Sequence, residues 1–526
     1  MLRIFDRKRR VWRFMIENDQ ALQEQSQDQE QLGPDLTRNL ASISAWLGTS
    51  PDIIIRKFIL GVQKPMQGAL IYIDGLVNKD QVDRDVLAPL TLPGDDPVTS
   101  ATPHDLFEII KTRVTVGDIQ VKGSLNDLIT GILSGDTVLL IDAFTEALVI
   151  STKGYEKRAI AEPPSQVVVR GPREGFTENL RTNTALLRQR IRNPNLTFEV
   201  MRLGKQTQTD VCLAYIKGLT NDSLITEIKR RLQRIKTDSI LESGYIEEFI
   251  EDAPFSLFPT IYNTERPDAV AGKLLEGRAA ILISGTPFVL TVPTLFAEFF
   301  QSPEDYYSRF YYGSFLRLIR FVAFFISILL PAVYVALINY HQELMPTSLL
   351  ITFAAAREGL PFPALVETIG MGLIFEILRE AGIRLPRPIG QAVSIVGALV
   401  IGQTAVTAGL IGAPMVIIVA LTAITSFVTP HFAEMSAYLR VGFTILAGAA
   451  GGFGLLMGFL ALFIHIAALR SFGVPYLSPV APIQFNSQKD MLVRAPWWAM
   501  FTRPGEIEKM DPAREDFHLM PKPPQK

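Results

Sequence analysis

The stretch REGLPFPALVETIGMGLIFEILREAGIRLPRPIGQAVSIVGALVIGQ, from Arg357 to Gln403, places carboxylates and arginines among apolar residues. Proline and glycine interrupt its helical pattern, and its second half is long enough to cross a bilayer. A bilayer tolerates ionisable groups only where they face protein or water, so such groups mark functional positions. This stretch therefore predicts a helical membrane domain that contains the functional site.

The chain joins two halves of different composition. Its 526 residues carry a net charge of −2 and 20% charged side chains, as soluble proteins do, yet the mean hydropathy is +0.23. Polar residues dominate up to about Tyr312, and apolar runs dominate from Phe315 to Leu469. The one cysteine, Cys212, excludes an internal disulfide and fits a reducing compartment. The N-terminus shows no signal-peptide pattern, so we expect the polar half to be cytoplasmic.

The polar half contains an internal repeat, which appears when the chain is aligned with itself. Three sets of residues match at offsets of 143 or 142 residues. They are LIYIDGLVN (70–78) with LAYIKGLTN (213–221), GDTVLLIDAFTEALVI (135–150) with GRAAILISGTPFVLTV (277–292), and Pro51, Gly61 and Gln63 with Pro194, Gly204 and Gln206. We therefore expect a duplicated α/β domain made of subdomains 35–165 and 166–312.

Each copy reads as a helix, two strands, a second helix and a further strand pair. Asn78 or Asp80 is expected to cap the second helix in the first copy, and Asp222 in the second. Asp74 aligns with Lys217, so this position is interpreted as solvated surface. Neither copy has a phosphate-binding loop, a metal-ligand pattern or a nucleophile–base set. We therefore expect no enzyme activity, no cofactor and no nucleic-acid partner.

Two segments flank the predicted domains. Residues 1–34 begin with alternating basic and apolar residues and continue into a Gln- and Glu-rich run. The basic part is either an amphipathic helix on anionic membrane lipid or a flexible tail. Residues 476–526, rich in proline and charge, are expected to form a cytoplasmic tail.

Residues 313–475 are predicted to form a polytopic α-helical membrane domain with four to six apolar segments. Leu318–Asn339 and Ile389–Ile411 are each long enough to cross a bilayer, and Val441–Leu469 is longer than one crossing needs. Two further apolar segments, Leu344–Ala356 and Pro414–Val428, are too short for a full crossing. Short segments bounded by proline or glycine are typical of re-entrant or broken helices. We expect Leu344–Ala356 to be re-entrant.

Basic residues set the predicted orientation. Arg309, Arg317 and Arg320 cluster around the start of the first apolar run and are expected to precede the first helix, whereas the loop Tyr340–Thr347 has no lysine or arginine. Further basic residues follow the last run, beginning at Arg470. Both termini are therefore expected in the cytoplasm, which requires an even number of crossings.

Two carboxylates in the apolar half have different local environments. Glu367 and Glu376 are nine residues apart, about 180° around a helix, so they cannot both face one pore. Glu376 has Arg379 at i+3, which favours a structural ion pair. Glu367 has no basic residue at i±3 or i±4, and rings of carboxylates select cations, so it is a candidate pore or gating residue. Pairing of Glu367 with Arg357 is the alternative.

Polar side chains also cluster near the outer end of the second long segment. Gln403, Thr404 and Thr407 lie at i, i+1 and i+4. They either form hydrogen bonds between helices or line an aqueous path. We include them as candidate pore or gating residues.

Five motifs carry a resemblance to a known family. They are GPREGFTENLRTNTALLRQRI (171–191), SLFPTIYNTERPD (256–268), REGLPFPALVE (357–367), EILREAGIRLPRPIGQAVSIVGALVIGQ (376–403) and SFGVPYLSP (471–479). From about Asp35 to Pro482, the chain resembles the GerA-type spore germination proteins. These are the A subunits of germinant receptors, and the stage V sporulation protein AF is a close relative.

The resemblance implies an integral protein of the inner spore membrane, with both termini in the spore core. It implies a homo-oligomeric, pentameric channel that passes monovalent cations when a nutrient triggers germination. Its partners would be a transporter-like B subunit and a lipoprotein C subunit. Thr407 stands where an acidic or larger polar residue is expected in many relatives, which predicts a difference in selectivity or gating.

Three alternatives to a nutrient-gated receptor channel stay open. The first is an accessory ion channel like the stage V protein, which shares the motifs. The second is a secondary transporter, favoured by the short, proline-interrupted segments. The third is a scaffold that conducts no ions and couples a sensing partner to another channel.

Overall fold

The computed structural model describes residues 31–48, 50–60, 66–91, 103–154, 162–163, 165–384, 402–483, 488–505, 507 and 513–514. They form two compact units. The first unit contains the described residues up to Asp252, the segment Ile261–Thr294 and the described residues from Pro496 onward. The second unit contains Ala253–Thr260 and Leu295–Ala495.

Two five-stranded antiparallel sheets form the framework of the first unit. The first sheet has the order β1-β2-β4-β5-β3 and the second the order β6-β7-β9-β10-β8, so the two orders correspond strand by strand. The strands are β1 Ile53–Leu60, β2 Met66–Ile73, β3 Ile119–Lys122, β4 Thr137–Ile141, β5 Ala147–Ile150, β6 Leu196–Leu203, β7 Thr209–Ile216, β8 Tyr262–Thr264, β9 Ala279–Ile283 and β10 Val289–Val292. The sequence pattern did not predict β3 and β8, because runs of four and three residues carry little periodicity.

The inner strands read as unbroken apolar runs because they are buried along their whole length. Every residue of β4 (TVLLI) and β9 (AAILI) is buried. The turn after the second strand of each sheet requires glycine: Gly75 has φ 90° and Gly218 has φ 77°. Only glycine adopts this conformation without strain, which explains why the aligned copies share it.

Helices cover the sheets of the first unit. The numbered helices are α1 Leu36–Leu47, α2 Pro103–Arg113, α3 Leu125–Leu133, α4 Leu180–Arg190, α5 Asp222–Arg234, α6 Ser243–Ile250 and α7 Pro267–Leu274. Between α1 and α2, one continuous helical stretch consists of a short α-helix Lys79–Gln81, a π-helix Val82–Leu87 and a short α-helix Ala88–Thr91. A 3-10 turn lies at Trp497–Ala499. Asn78 caps its helix by accepting a hydrogen bond from the Gln81 N–H. The prediction for Asp222 is wrong: Asn221 is the cap, and Asp222 lies in the first turn, where its charge suits the helix dipole.

Helix α4 contributes to one core cluster of each sheet in the first unit. Ala185 packs in the core that includes Ile71 and Ile73 of the first sheet. Leu186 and Leu187 pack in the core of the second sheet. Burial on two sides explains why α4 is buried along most of its length.

The second unit is mainly helical. Its elements are a 3-10 turn Phe296–Phe300, a helical turn Glu304–Tyr307, α8 Phe310–Asn339, a 3-10 turn Gln342–Leu344, α9 Thr347–Arg357, α10 Ala364–Arg384, a helix at 402–407, α11 Ala413–Val428, a 3-10 turn Pro430–Phe432, α12 Ala433–Ala468, the β11–β12 hairpin (Arg470–Ser471 with Val474–Pro475) and a 3-10 turn Gln488–Asp490. By length and composition, the described stretches Phe310–Asn339 and Pro430–Ala468 could cross a membrane. Most of the predicted span Ile389–Ile411 lies outside the described residues.

Helix α12 folds back on itself at Gly451. This residue has φ 61° and ψ −138°, a non-helical conformation that is nearly exclusive to glycine. A Cβ added at Gly454 would lie 2.1 Å from the Leu446 carbonyl oxygen, and one at Gly458 would lie 2.9 Å from the Phe443 ring. In a straight helix, residues 446 and 454 would be about 12 Å apart.

Both ends of α12 also lie near one aromatic ring. The ring centroid of Phe258 is 6.4 Å from that of Phe432, just before α12, and 6.0 Å from that of His465, near its end. Residues 433–450 and 452–468 are therefore two antiparallel helices. This fold-back accounts for the excess length of the apolar run Val441–Leu469.

Candidate functional site: buried charges in the helical unit

Glu367 is the centre of a buried polar cluster. Its side chain is 0% exposed, and Arg357 at the end of α9 donates a hydrogen bond of 2.9 Å to Oε2. The backbone N–H of Gly412, just before α11, donates a hydrogen bond of 2.7 Å to Oε1. Each carboxylate oxygen thus has a partner, and the cluster joins α9, α10 and the start of α11.

The intervening LPFP segment brings the ion pair together. Gly359 has φ 84°, and Pro361 and Pro363 cannot continue a helix, so the chain reverses between α9 and α10. The first turn of α10 then faces the end of α9. Within one chain Glu367 therefore faces protein, and the alternative pairing with Arg357 is the contact present. Its role in a pore or gate stays a prediction.

Glu376 forms ion pairs with two arginines. Its Oε2 lies 2.6 Å from Arg379 Nη2 on the same helix, and its Oε1 lies 3.1 Å from Arg440 Nη2 in the first half of α12. The sequence analysis named Arg379 but missed Arg440. Arg440 could have been found from the sequence, because it stands next to a long apolar run, where a charged side chain needs a partner of opposite charge.

Gln403, Thr404 and Thr407 are exposed on the helix at 402–407. The Thr407 hydroxyl donates to the carbonyl oxygens of Gln403 and Thr404, each at 3.0 Å, and so bonds its own helix. Gly412, five residues after Thr407, is held by Glu367. The buried Glu367 thereby anchors the segment that follows these exposed polar side chains.

A second buried charge cluster lies at the start of α8. Asp305 has no exposed side-chain surface and forms ion pairs with Arg317 Nε at 3.0 Å and Arg320 Nη1 at 2.8 Å. Arg317 also contacts Asp490 Oδ1 at 2.7 Å. The sequence analysis treated Arg317 and Arg320 as basic residues preceding the helix, and this was wrong. Both lie inside α8, and aspartates neutralise them.

In the first unit, Asp74 lies at a polar cleft of about 530 Å³. It is 8% exposed and forms ion pairs with Lys79 Nζ at 2.9 Å and Arg181 Nε at 3.3 Å. The interpretation of this position as solvated surface was wrong. The alignment with Lys217 concealed the partners, because Arg181 belongs to α4 and approaches only in the folded chain.

The described residues supply no metal centre and no activated thiol. They contain no group of three or more His, Cys, Asp or Glu side chains that could hold a metal ion. Burial raises the pKa of the Cys212 thiol to about 12, which keeps it protonated and unreactive near neutral pH.

Comparison with known proteins relates the chain to spore germination proteins. Residues 41–506 match the family model described as Bacillus/Clostridium GerA spore germination protein. Spore germination protein KA of Bacillus subtilis (strain 168) is 49% identical over 494 residues, which cover 94% of this chain and 90% of that protein. Spore germination protein GerLA of Bacillus cereus is 40% identical over 467 residues, covering 88% and 94%.

Solved structures also show a similarity. The N-terminal domain of the A subunit of the Bacillus megaterium spore germinant receptor GerK3 is 40% identical, with a TM-score of 0.41, and the match covers 51% of this chain and 98% of that domain. The family model covers most of both units, and the relatives match along nearly their whole length. The chain therefore belongs to the GerA family of spore germination proteins.

Proposed function

We propose that this protein is the A subunit of a spore germinant receptor and forms a nutrient-gated cation channel in the inner spore membrane. The observation that carries the proposal is the family match over residues 41–506. In this proposal the subunit is a homo-oligomer of about five copies, works with a B and a C subunit, and passes monovalent cations. Both termini face the spore core.

The helical unit supports a membrane role. Apolar side chains that include Ile417, Ile424 and Phe427 on α11 are exposed in the single chain. Side chains of this kind are stable in contact with lipid or with another subunit. The charged groups Glu367, Glu376 and Arg440 point inward instead, as a membrane protein requires.

Within this proposal, the exposed residues Gln403, Thr404 and Thr407 line the ion path of the oligomer. Glu367 acts as a gating residue through its hydrogen bond to Gly412, which positions the segment that carries them. Arg357 holds the Glu367 carboxylate in place. The pore wall is then polar but uncharged at Thr407.

The variant Glu367→Ala tests this role in spores that lack their own copy of the protein. It leaves Arg357 without its carboxylate and releases Gly412, so nutrient-triggered potassium release should slow severalfold at normal protein level. Glu380→Gln, on the exposed side of the same helix, is the matched control and should germinate normally. Unchanged release in Glu367→Ala would remove Glu367 from the gate.

A second variant separates positioning from direct contact with ions. Glu367→Gln keeps an oxygen that can accept the Gly412 N–H but loses the charge. A positioning role predicts unchanged potassium-over-chloride selectivity in liposomes that contain the purified receptor. A loss of cation selectivity would instead assign Glu367 to the pore wall.

The native mass of the detergent-solubilised protein is the first measurement to make. A discrete oligomer of about five chains would support a central pore. A monomer would favour a scaffold, or a channel that assembles only with its B and C subunits. It would also leave open an accessory role like that of the stage V protein.

The broken helix α12 favours one further candidate, a secondary transporter, because transporters bind substrates at interrupted helices. A transporter predicts saturable uptake driven by a counter-ion in liposomes. Passive, non-saturating cation flux would exclude it. The repeat in this chain lies in the polar half, whereas transporter repeats lie in the membrane half, so the channel is favoured.

A further inference from the structure

The turn at Gly451 is held by two side chains from the end of α8. Breaking α12 frees the last carbonyl groups of its first half and the first N–H groups of its second half. The Tyr340 hydroxyl lies 2.8 Å from the Gly448 oxygen and 3.0 Å from the Ala449 oxygen, to which it donates. The Gly452 N–H donates to His341 Nε2 at 2.9 Å. Tyr340 and His341, which are consecutive in the chain, therefore supply hydrogen-bond partners to backbone groups on both sides of the break.

The His341 hydrogen bond requires a neutral imidazole. Nε2 can accept from Gly452 only while it carries no proton, which places the ring proton on Nδ1. A second proton would turn Nε2 into a donor facing another donor. The partly buried Gly452 N–H would then lose this partner, and the turn would lose one of the hydrogen bonds that close it.

The charged group beside His341 is Glu343, on the same connection, whose Oε1 lies 3.7 Å from Nδ1. The hairpin residues 441–464 contain no ionisable side chain. From α10, Leu365 packs at Gly448, and Glu367 is paired with Arg357.

We propose that His341 is a proton-sensitive latch for the helical hairpin. The neutral ring closes the turn through Gly452, and protonation opens that hydrogen bond and loosens residues 448–454. Histidine is the side-chain type that ordinarily changes charge between pH 5 and 8. The Tyr340 hydroxyl keeps its own hydrogen bonds to Gly448 and Ala449, so the first half of α12 stays attached when the His341 contact opens. This inference does not depend on channel activity.

A spin label at the hairpin tip tests the latch in the full chain. Phe453→Cys places the label on an exposed position next to Gly452, in a Cys212→Ala background. Between pH 8 and pH 5, the ratio of mobile to immobile label should rise about fivefold, the factor that corresponds to one hydrogen bond of about 1 kcal/mol. His341→Gln offers a non-titrating acceptor of similar reach and should abolish the rise.

One further variant makes the test specific. His465→Gln, at the far end of the hairpin, should keep the full rise. An unchanged rise in His341→Gln, or its loss in His465→Gln, would overturn the proposal.

Discussion

At the scale of single residues, one buried ion pair of the first unit connects the two copies of the repeat. Arg188 and Asp52 are each about 1% exposed, and Arg188 donates to both carboxylate oxygens, at 2.8 and 3.2 Å. Arg188 lies on α4, and Asp52 immediately precedes β1. The pair thus fastens the second copy of the repeat to the first.

Replacing Arg188 by methionine should destabilise the first unit by about 3–5 kcal/mol, because Asp52 would be left as an unpaired buried charge. Urea unfolding followed by tryptophan fluorescence measures this, since Trp46, Trp497 and Trp498 all belong to the first unit. The control is Arg202→Met in the exposed pair with Asp210, which should change stability by less than about 1 kcal/mol. Equal effects of the two variants would contradict the prediction.

A second prediction at this scale concerns pH. Burial, followed by the charges of Glu251, Glu242 and Glu248, raises the pKa of Glu247 to about 7, although a hydrogen bond from Asn263 opposes the rise. The native state then holds a proton that the unfolded chain has released. Stability of the first unit should therefore fall by about 1–3 kcal/mol as pH rises from about 4.5 to about 7.

The variant Glu247→Gln should flatten this dependence, because an amide does not titrate. Glu251, whose burial raises its pKa to about 6, would leave a smaller slope in the same direction. Glu146→Gln on the exposed surface serves as control and should keep the full slope. The measurement is the urea midpoint of the first unit at several pH values.

At the scale of elements, α12 depends on glycine at one position. Gly451 adopts a backbone conformation closed to other residues, and a Cβ there would lie 2.8 Å from Tyr340 Cβ. Gly454 and Gly458 then let the two halves approach closely. The hairpin is thus encoded by small residues, in a segment that hydropathy alone reads as one long helix.

Gly451→Ala should destabilise the second unit by about 2 kcal/mol or more, through backbone strain and the clash with Tyr340. Gly442→Ala is the matched control in the same element, because the space around Gly442 is open. It should leave stability unchanged or raise it by up to about 1 kcal/mol. Thermal unfolding in detergent compares the two, and equal midpoints would argue against the turn.

At the scale of the whole molecule, the hairpin would set the number of crossings in the proposed membrane topology. If the helical unit spans a membrane, one long helix would put the two ends of α12 on opposite sides, whereas two antiparallel helices would return the chain to the side where it entered. The one apolar run would then supply two crossings, which suits the proposed termini on a common side.

Cysteine labelling on sealed vesicles tests this topology in the Cys212→Ala background. Cysteines at the exposed positions Glu434 and Arg470 should react with an impermeant maleimide from the same side, and one at Phe453 from the other side. Labelling of Glu434→Cys and Arg470→Cys from opposite sides would mean that α12 crosses as one helix.

The division into a polar and an apolar half, the repeat and most strands of the two sheets could be predicted from the order of residues alone. These features follow from composition and from local periods of two or 3.6 residues, which neighbouring side chains impose. The ion pair of Glu376 with Arg379 could be predicted for the same reason, because the two residues are about one helical turn apart.

The partners of the buried charges and the position of the chain reversal depend instead on how distant segments pack. Gly412 is 45 residues from Glu367, and Arg440 is 64 residues from Glu376. Hydropathy could not locate the break in α12, because residues 441–464 form one uninterrupted apolar run and the break depends on the backbone conformation of one glycine. Partners so distant meet only after packing, and a buried charge is stable only where that packing supplies a partner.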